Sequence, residues 1–116
     1  MEKEDKLIEL RNALRQFIAA RDWRQYHTPK NLAMAMIVEA AELVEQFQWM
    51  TPEQSQTLTA EQLAAVRDEV ADTLIYLVEL ADVLDIDLIA AAHNKMAKNA
   101  QKYPVRSEEA NQRVGA

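Results

Sequence analysis

Apolar residues recur along this chain every three or four positions, which is the spacing of an α-helix that buries one face. The first such segment runs from about Lys3 to Arg21 and the second from Pro29 to about Trp49. The third runs from about Ala60 to Leu84 and the fourth from about Leu88 to Lys102. No segment of any strength has the two-residue alternation of a strand. The pattern therefore predicts an all-α protein with a four-helix bundle-like protomer.

The ends of these helices are marked by residues that suit a helix terminus. Thr28 is a candidate N-cap, followed by Pro29 at the first helical position. The stretches "TPEQ" at 51–54 and "TAEQ" at 59–62 each have the spacing of a capping box, so we expect a short helical turn before the third long helix. We expect residues 1–105 to form a single domain and residues 106–116 to be a disordered polar tail.

The composition excludes several classes of protein. Gly115 is the one glycine, so neither a P-loop nor the G-x-G-x-x-G loop of a dinucleotide-binding fold is present. Without cysteine the chain can form neither a disulfide nor a thiolate metal site. The formal net charge of −6 argues against binding a nucleic acid polymer through its phosphates. The longest apolar run, "LAMAMIV", is too short for a membrane span, and the charged N-terminus lacks the apolar core of a signal peptide, so we expect a cytoplasmic protein.

Two helices carry pairs of carboxylates, three residues apart, at the edge of their apolar face. On the second helix Glu39 and Glu42 are neighbours on one strip beside the core. On the third helix Glu69, Asp72 and Tyr76 lie within about 60° of one another. If the two helices pack through their apolar faces, four carboxylates converge.

Converging carboxylates need a counter-charge, because like charges a few Å apart destabilise one another. Mg²⁺ or Mn²⁺ suits such a site, since both prefer oxygen ligands and accept phosphate oxygens. The spacing is not diagnostic by itself, because the chain has six acidic pairs three residues apart, most of which we expect to be ordinary surface charge. Glu45, for example, lies further round the second helix and is expected to be solvated. The Glu-x-x-His signature of di-iron bundles is absent.

The segments "EAAELVEQFQW", "DEVADTLIYLVELADVLDIDL" and "NKMAKNAQKYP" resemble the all-α nucleoside triphosphate pyrophosphatases of the MazG-like superfamily. The longer stretch "RDWRQYHTPKNLAMAMIVEAAELVEQFQW" is similar to the dCTP pyrophosphatase branch, and the resemblance covers about residues 14–104. It implies the all-α NTP pyrophosphatase fold. It also implies Mg²⁺-dependent hydrolysis of a nucleoside triphosphate, dCTP or a modified dCTP, to the monophosphate and pyrophosphate, as in nucleotide-pool house-cleaning.

The resemblance also assigns residues to roles, matched position by position. The implied metal ligands are Glu39, Glu42, Glu69 and Asp72. The residues implied to lie around the base and sugar are Trp23, His27, Trp49 and Tyr76. Those implied to lie towards the phosphates are Lys95 and Asn99. Val38 stands where many MazG-like members carry a second acid, although members of the dCTP type also lack that acid.

The residues themselves leave alternatives open for these assignments. Lys102 shares one side of the fourth helix with Lys95 and Asn99, a stripe suited to phosphates or simply to a solvated helix C-terminus. The two tryptophans can stack on a base or close the core. His27 can donate to the base or sugar, or cap the second helix.

No serine, cysteine or histidine is placed as a nucleophile, so we expect direct attack by water on the α-phosphorus. Glu42, further from the apolar arc than Glu39, is the favoured residue to orient that water. The third helix is apolar nearly all round, with Ile75 and Val78 opposite its acidic strip, which predicts a homo-oligomer, a dimer or a dimer of dimers. The competing hypotheses are a dUTP-type, phosphoribosyl-ATP-type or broad-range pyrophosphohydrolase, and a non-enzymatic helical interaction module.

Overall fold

A computed structural model describes residues 5–105, and the regular elements in this range are all helical. The elements are α1 (Lys6–Ala20), a 3₁₀ turn (Arg24–Tyr26), α2 (Pro29–Glu45), α3 (Pro52–Ser55), α4 (Ala60–Val83) and α5 (Leu88–Lys102). The all-α prediction is confirmed. The expected tail at 106–116 lies outside the described residues, and the single domain over 1–105 stays a prediction. The described residues divide into two compact units, one with α1 to α4 up to Ile86 and one with α5 from Asp87 onward.

The predicted starts of α2, α3 and α4 are confirmed by the capping contacts, whereas α1 begins at Lys6 with Asp5 as its N-cap. The Thr28 hydroxyl accepts from the Asn31 backbone N–H at 3.2 Å, with Pro29 in the first turn. Both expected capping boxes form, at Thr51 before the short helix α3 and at Thr59 before α4. These caps satisfy backbone donors that would otherwise lack a partner.

The second long helix is shorter than predicted. It ends at Glu45, and the following residues to Trp49 form turns. The Gln46 N–H bonds to the Leu43 carbonyl at 3.2 Å and the Phe47 N–H to the Val44 carbonyl at 2.9 Å. These bonds, to the carbonyl three residues back, tighten the chain out of the α-helical path.

Two helices end on an aspartate in the left-handed conformation. Asp22 after α1 and Asp85 after α4 both have φ of 54°. In α1 the Trp23 N–H bonds to the Ile18 carbonyl at 3.2 Å, which is the six-residue bond of a Schellman motif. Glycine usually occupies this position, but the only glycine of this chain is at position 115.

In the first unit, α2 and α1 both pack against α4. The most buried apolar side chains are Leu32, Val78 and Ala81, which are 1%, 3% and 5% exposed. The burial of Val78 corrects its assignment to an apolar flank, because it is already covered within one protomer. Conversely, Ile37 and Val44 on α2 are 62% and 59% exposed, because α4 covers only part of the apolar face of that helix.

Candidate active site

The packing of α2 against α4 brings three carboxylates together. One oxygen atom from each of Glu39, Glu69 and Asp72 lies within 4.8 Å of the others. Glu39 comes from α2 and the other two from α4, where a spacing of three residues keeps them on one side of the helix. The predicted convergence of the two helices' acidic strips is thus present in the structure.

Glu42, the fourth predicted ligand, lies directly beside this cluster. A hydrogen bond with the Glu42 carboxyl, together with burial and the charges of Asp72 and Glu69, raises the pKa of Glu39 to about 7. Burial is the largest cause that raises the pKa of Glu69, followed by a hydrogen bond with Glu42. Without a cation, this surrounding therefore favours the protonated forms of Glu39 and Glu69.

The donor set fits a hard divalent cation. Among the described residues, three buried side-chain oxygens have no hydrogen-bond partner, and two of them are Glu39 Oε2 and Glu69 Oε2. Unpaired buried oxygens are costly, and three carboxylates at this separation are the ligands that Mg²⁺ and Mn²⁺ prefer. Glu39, Glu69 and Asp72, with Glu42 beside them, could hold such an ion.

Tyr76 and Glu79 continue the acidic strip along α4. Burial raises the pKa of the Tyr76 hydroxyl, and the charges of Glu79, Glu39 and Asp72 raise it further. Tyr76 therefore lies close enough to interact both with the carboxylate cluster and with Glu79. Glu79 is only 7% exposed, and burial raises its pKa. Its Oε2 is the third buried oxygen without a hydrogen-bond partner in the described part of the chain.

A cavity of about 360 Å³ opens between α1, the 3₁₀ turn and α4. Glu79 lines it together with His27, whose Nδ1 lies 3.7 Å from Glu79 Oε2. Arg15 and Asp82 also line the cavity and form a two-bond ion pair, Nε–Oδ2 at 2.8 Å and Nη2–Oδ1 at 2.5 Å. Its other lining residues are Arg11, Leu14, Ile18, Arg24, Val78 and Val83.

The two predicted tryptophans occupy different settings. Trp23 is 43% exposed and packs edge-to-face on Phe17, with ring centroids 5.8 Å apart. The guanidinium of Arg21 covers the Phe17 ring at 3.5 Å. Trp49, in the turns after α2, is 88% exposed, so neither tryptophan serves only to close the core.

The predicted phosphate-binding residues lie on α5, in the second unit. Lys95, Asn99 and Lys102 are all exposed, and their spacing places them on one side of that helix. Their role stays a prediction.

Sequence reasoning missed Glu79 and Asp82. Their spacing marks them as one of several acidic pairs expected to be surface charge, but Glu79 is buried and Asp82 is paired with Arg15. The helical spacing could have identified Glu79, because this residue follows Tyr76 by three positions and so continues the strip of Glu69 and Asp72.

Comparison with known proteins is consistent with this geometry. Residues 34–115 match the MazG-like family, which confirms the resemblance drawn from the sequence. A solved pyrophosphatase from Archaeoglobus fulgidus is 42% identical, with a TM-score of 0.85 over 90% of this chain and 98% of that one.

Two curated relatives are similar over most of this chain. dCTP pyrophosphatase 1 of Rattus norvegicus is 41% identical over 104 residues, which are 88% of this chain and 61% of that protein. dCTP pyrophosphatase 1 of Homo sapiens is 41% identical over 103 residues, 87% of this chain and 61% of that protein. The chain thus spans about three fifths of the length of these relatives. In the described part of the chain, no helix is long and apolar enough to cross a membrane.

Proposed function

We propose that this chain, which belongs to the MazG-like family, hydrolyses a nucleoside triphosphate, dCTP or a modified dCTP, to the monophosphate and pyrophosphate. The single observation that carries the proposal is the cluster of Glu39, Glu69 and Asp72 oxygens within 4.8 Å of one another. Such a cluster can hold the cation that accompanies a triphosphate. The relatives named dCTP pyrophosphatase 1 supply the choice of base.

Mg²⁺ is the proposed cofactor, with Mn²⁺ as a substitute. When bound, it supplies positive charge that neutralises the phosphate oxygens while the P–O bond breaks. Glu39, Glu69 and Asp72 would hold it, and the two buried oxygens that lack a partner would gain one. Glu42, next to these carboxylates, would be the fourth acidic ligand.

The proposed reaction is direct attack by water on the α-phosphorus. Glu42 orients the water and accepts its proton, because a carboxyl that contacts both Glu39 and Glu69 can face the cluster and the solvent together. Pyrophosphate leaves as the new bond to the water oxygen forms. Glu39 acts with Glu42 by fixing its position.

The nucleoside would lie along α4, beyond the carboxylate cluster. Tyr76 follows Asp72 on the same strip and is half-buried. Trp23 and His27 flank the 3₁₀ turn that follows α1, one before it and one after it. Aromatic rings there can stack on the base. Trp49 is proposed to contribute to a base site as well, and Lys95, Asn99 and Lys102 to bind phosphate.

The protein is proposed to work in the cytoplasm as a homo-oligomer, a dimer or a dimer of dimers, and not on nucleic acid polymers or membranes. Support for the oligomer comes from apolar side chains left open in one protomer. Ile37, Val44 and Trp49 are each more than half exposed. A groove is lined by Leu43 on α2, Phe47 in the following turns and Val70 on α4. Exposed apolar side chains beside an apolar groove are typical of protein contacts.

The test is product analysis with Mg²⁺ over a panel of NTPs and dNTPs. We expect dCMP and pyrophosphate from dCTP, and loss of at least about a hundredfold in kcat for Glu42→Gln. Glu45→Gln is the matched control, since Glu45 is exposed, on the same helix and one turn away. Orthophosphate as a product would overturn the reaction assignment.

A protein that turns over no nucleotide and is not stabilised by Mg²⁺ with dCTP would be an interaction module, because ligand binding must raise the stability of an enzyme that binds it. Preferred turnover of dUTP, or equal turnover of all bases, would indicate the dUTP-type or the broad-range enzyme.

A further inference from the structure

Glu79 is a buried carboxylate with one unsatisfied oxygen. It is 7% exposed, and its Oε2 has no hydrogen-bond partner among the described residues. The His27 Nδ1 atom lies 3.7 Å from this oxygen, which is too long for a hydrogen bond. A buried oxygen of this kind is stabilised only when a donor reaches it.

A group bound in the cavity that Glu79 lines can supply such a donor. That cavity, of about 360 Å³, is large enough for a small organic group. Asp82, the other carboxylate on its wall, is already satisfied by two bonds from Arg15. Glu79 is therefore the acceptor on this wall that remains available.

An anion is a poor fit for the same space, although arginines line it. Arg15 is held by Asp82, and the charge of Arg24 acts on Asp82 as well. An anion would also have to approach the buried Glu79 carboxylate. The wall therefore favours a group that donates a hydrogen bond, such as an amino N–H, over an anion.

The position of Glu79 relative to the carboxylate cluster fits one part of a nucleotide. Asp72, Tyr76 and Glu79 lie on one strip of α4, and Glu79 is two helical turns, about 10 Å, beyond Asp72. With the phosphates at the carboxylate cluster, the sugar would pass Tyr76. The base would reach the cavity.

We propose that the Glu79 carboxylate accepts a hydrogen bond from the exocyclic amino group of a cytosine base, and so selects cytosine over uracil nucleotides. This inference rests on the proposed function. Uracil carries a carbonyl oxygen at the place of the amino group, so two acceptors would face each other and Glu79 would stay unpaired. Sites built to accept an N–H discriminate strongly against a ligand that lacks it.

The experiment compares kcat/KM for dCTP and dUTP in the full chain with Mg²⁺. Wild type should prefer dCTP, and Glu79→Leu should lower that preference about ten- to a hundredfold, mainly through the KM for dCTP. Glu79→Gln keeps the shape, and its amide can turn to donate to the uracil oxygen. It should therefore raise kcat/KM for dUTP about tenfold. Glu61→Gln, an exposed carboxylate at the start of the same helix, is the control and should change neither value.

A readout that does not depend on catalysis is the affinity for dCMP and dUMP by calorimetry, with EDTA present. Wild type should bind dCMP more tightly, and Glu79→Gln should reduce the difference. The inference would be overturned if every Glu79 variant lost kcat/KM, or affinity, equally for the cytosine and the uracil nucleotide. A wild type that prefers dUTP would overturn it as well. Failure of wild type to hydrolyse dCTP would instead overturn the proposed function.

Discussion

Arg15 on α1 donates two hydrogen bonds to the Asp82 carboxylate on α4, from Nε to Oδ2 at 2.8 Å and from Nη2 to Oδ1 at 2.5 Å. The residues are 67 positions apart in sequence, so the pair fixes how α1 lies against α4. Two-bond pairs of this kind are more directional than single ion pairs. Because both residues line the cavity beside Glu79, the pair also fixes the shape of that cavity.

Breaking this pair should lower stability in a pH-dependent way. The bond from Arg15 holds the pKa of Asp82 below its ordinary value of 3.8, so the pair contributes its full stability above that pH. The contribution is lost as the pH falls through the lowered pKa. Asp82→Asn should therefore unfold at a lower urea concentration than wild type at pH 7, and the difference should shrink below about pH 3.8.

The control for this prediction is Asp68→Asn, which removes an exposed carboxylate from the same helix. A double-mutant cycle with Arg15→Gln isolates the coupling between the two side chains. Equal effects of Asp82→Asn and Asp68→Asn at pH 7 would show that the pair adds nothing to stability.

The carboxylate cluster predicts the opposite pH dependence when metal is absent. The pKa of Glu39 is raised from 4.5 to about 7 by its hydrogen bond with Glu42, by burial and by neighbouring charges. A raised folded-state pKa gives stability that is present below pH 4.5 and lost as the pH rises towards about 7. The Tm of EDTA-treated protein should fall across this window, and Mg²⁺ should restore it at pH 7.5.

Glu39→Gln should remove most of that pH dependence, because the amide cannot ionise. It should also raise the Tm of the metal-free protein at pH 7.5 and weaken the stabilisation by Mg²⁺. Glu45→Gln, at an exposed position of α2, should leave both unchanged. A Glu39→Gln variant that still gains full stabilisation from Mg²⁺ would contradict the proposed ligand set.

The helices and their starts could be predicted from the sequence because the signals are local. Proline at position 29 and the two Thr-x-x-Gln boxes act within one turn, and the structure has all of them. The end of α2 was predicted four residues too late, because the pattern of apolar and polar residues in "QFQW" fits a turn as well as a helix. The left-handed aspartates at 22 and 85 were missed because glycine is the usual signal there.

The candidate site was predictable to the extent that it depends on helical spacing. The i, i+3 pairs place Glu39 and Glu69 at the edges of their helices, and one packing assumption brings them together. The burial of Glu79 was not predictable, because it depends on how α1 and the 3₁₀ turn cover α4. Contacts across long stretches of sequence leave no periodic trace.

The two tryptophans give a direct test of the nucleotide position. Stacking on a base contributes about 1–3 kcal/mol, so Trp23→Ala should raise KM for dCTP about tenfold or more. Trp23→Phe should keep much of the affinity, because Phe also offers an aromatic face. Quenching of fluorescence by dCMP in the Trp49→Phe variant would report on Trp23 alone. No quenching there would place the base elsewhere.

The exposed apolar face of α2 should be covered in solution. Sedimentation is expected to give a dimer or tetramer, and Val44→Asp should shift it towards monomer by placing a charge in the contact. Gln56→Asp adds the same charge at an exposed polar position and should not change the mass. A wild type that sediments as a stable monomer would refute the oligomer.

The end of α1 offers a stability prediction that is independent of the site. Asp22 is held at φ of 54°, which glycine adopts without strain and β-branched residues avoid. Asp22→Gly should therefore raise the free energy of unfolding by about 0.5 kcal/mol. The gain from removing backbone strain is partly offset because glycine makes the unfolded chain more flexible. Asp22→Val should lower it by about 1–2 kcal/mol. Urea denaturation measures both, and changes of the same sign would show that the left-handed turn before Trp23 is not held in solution.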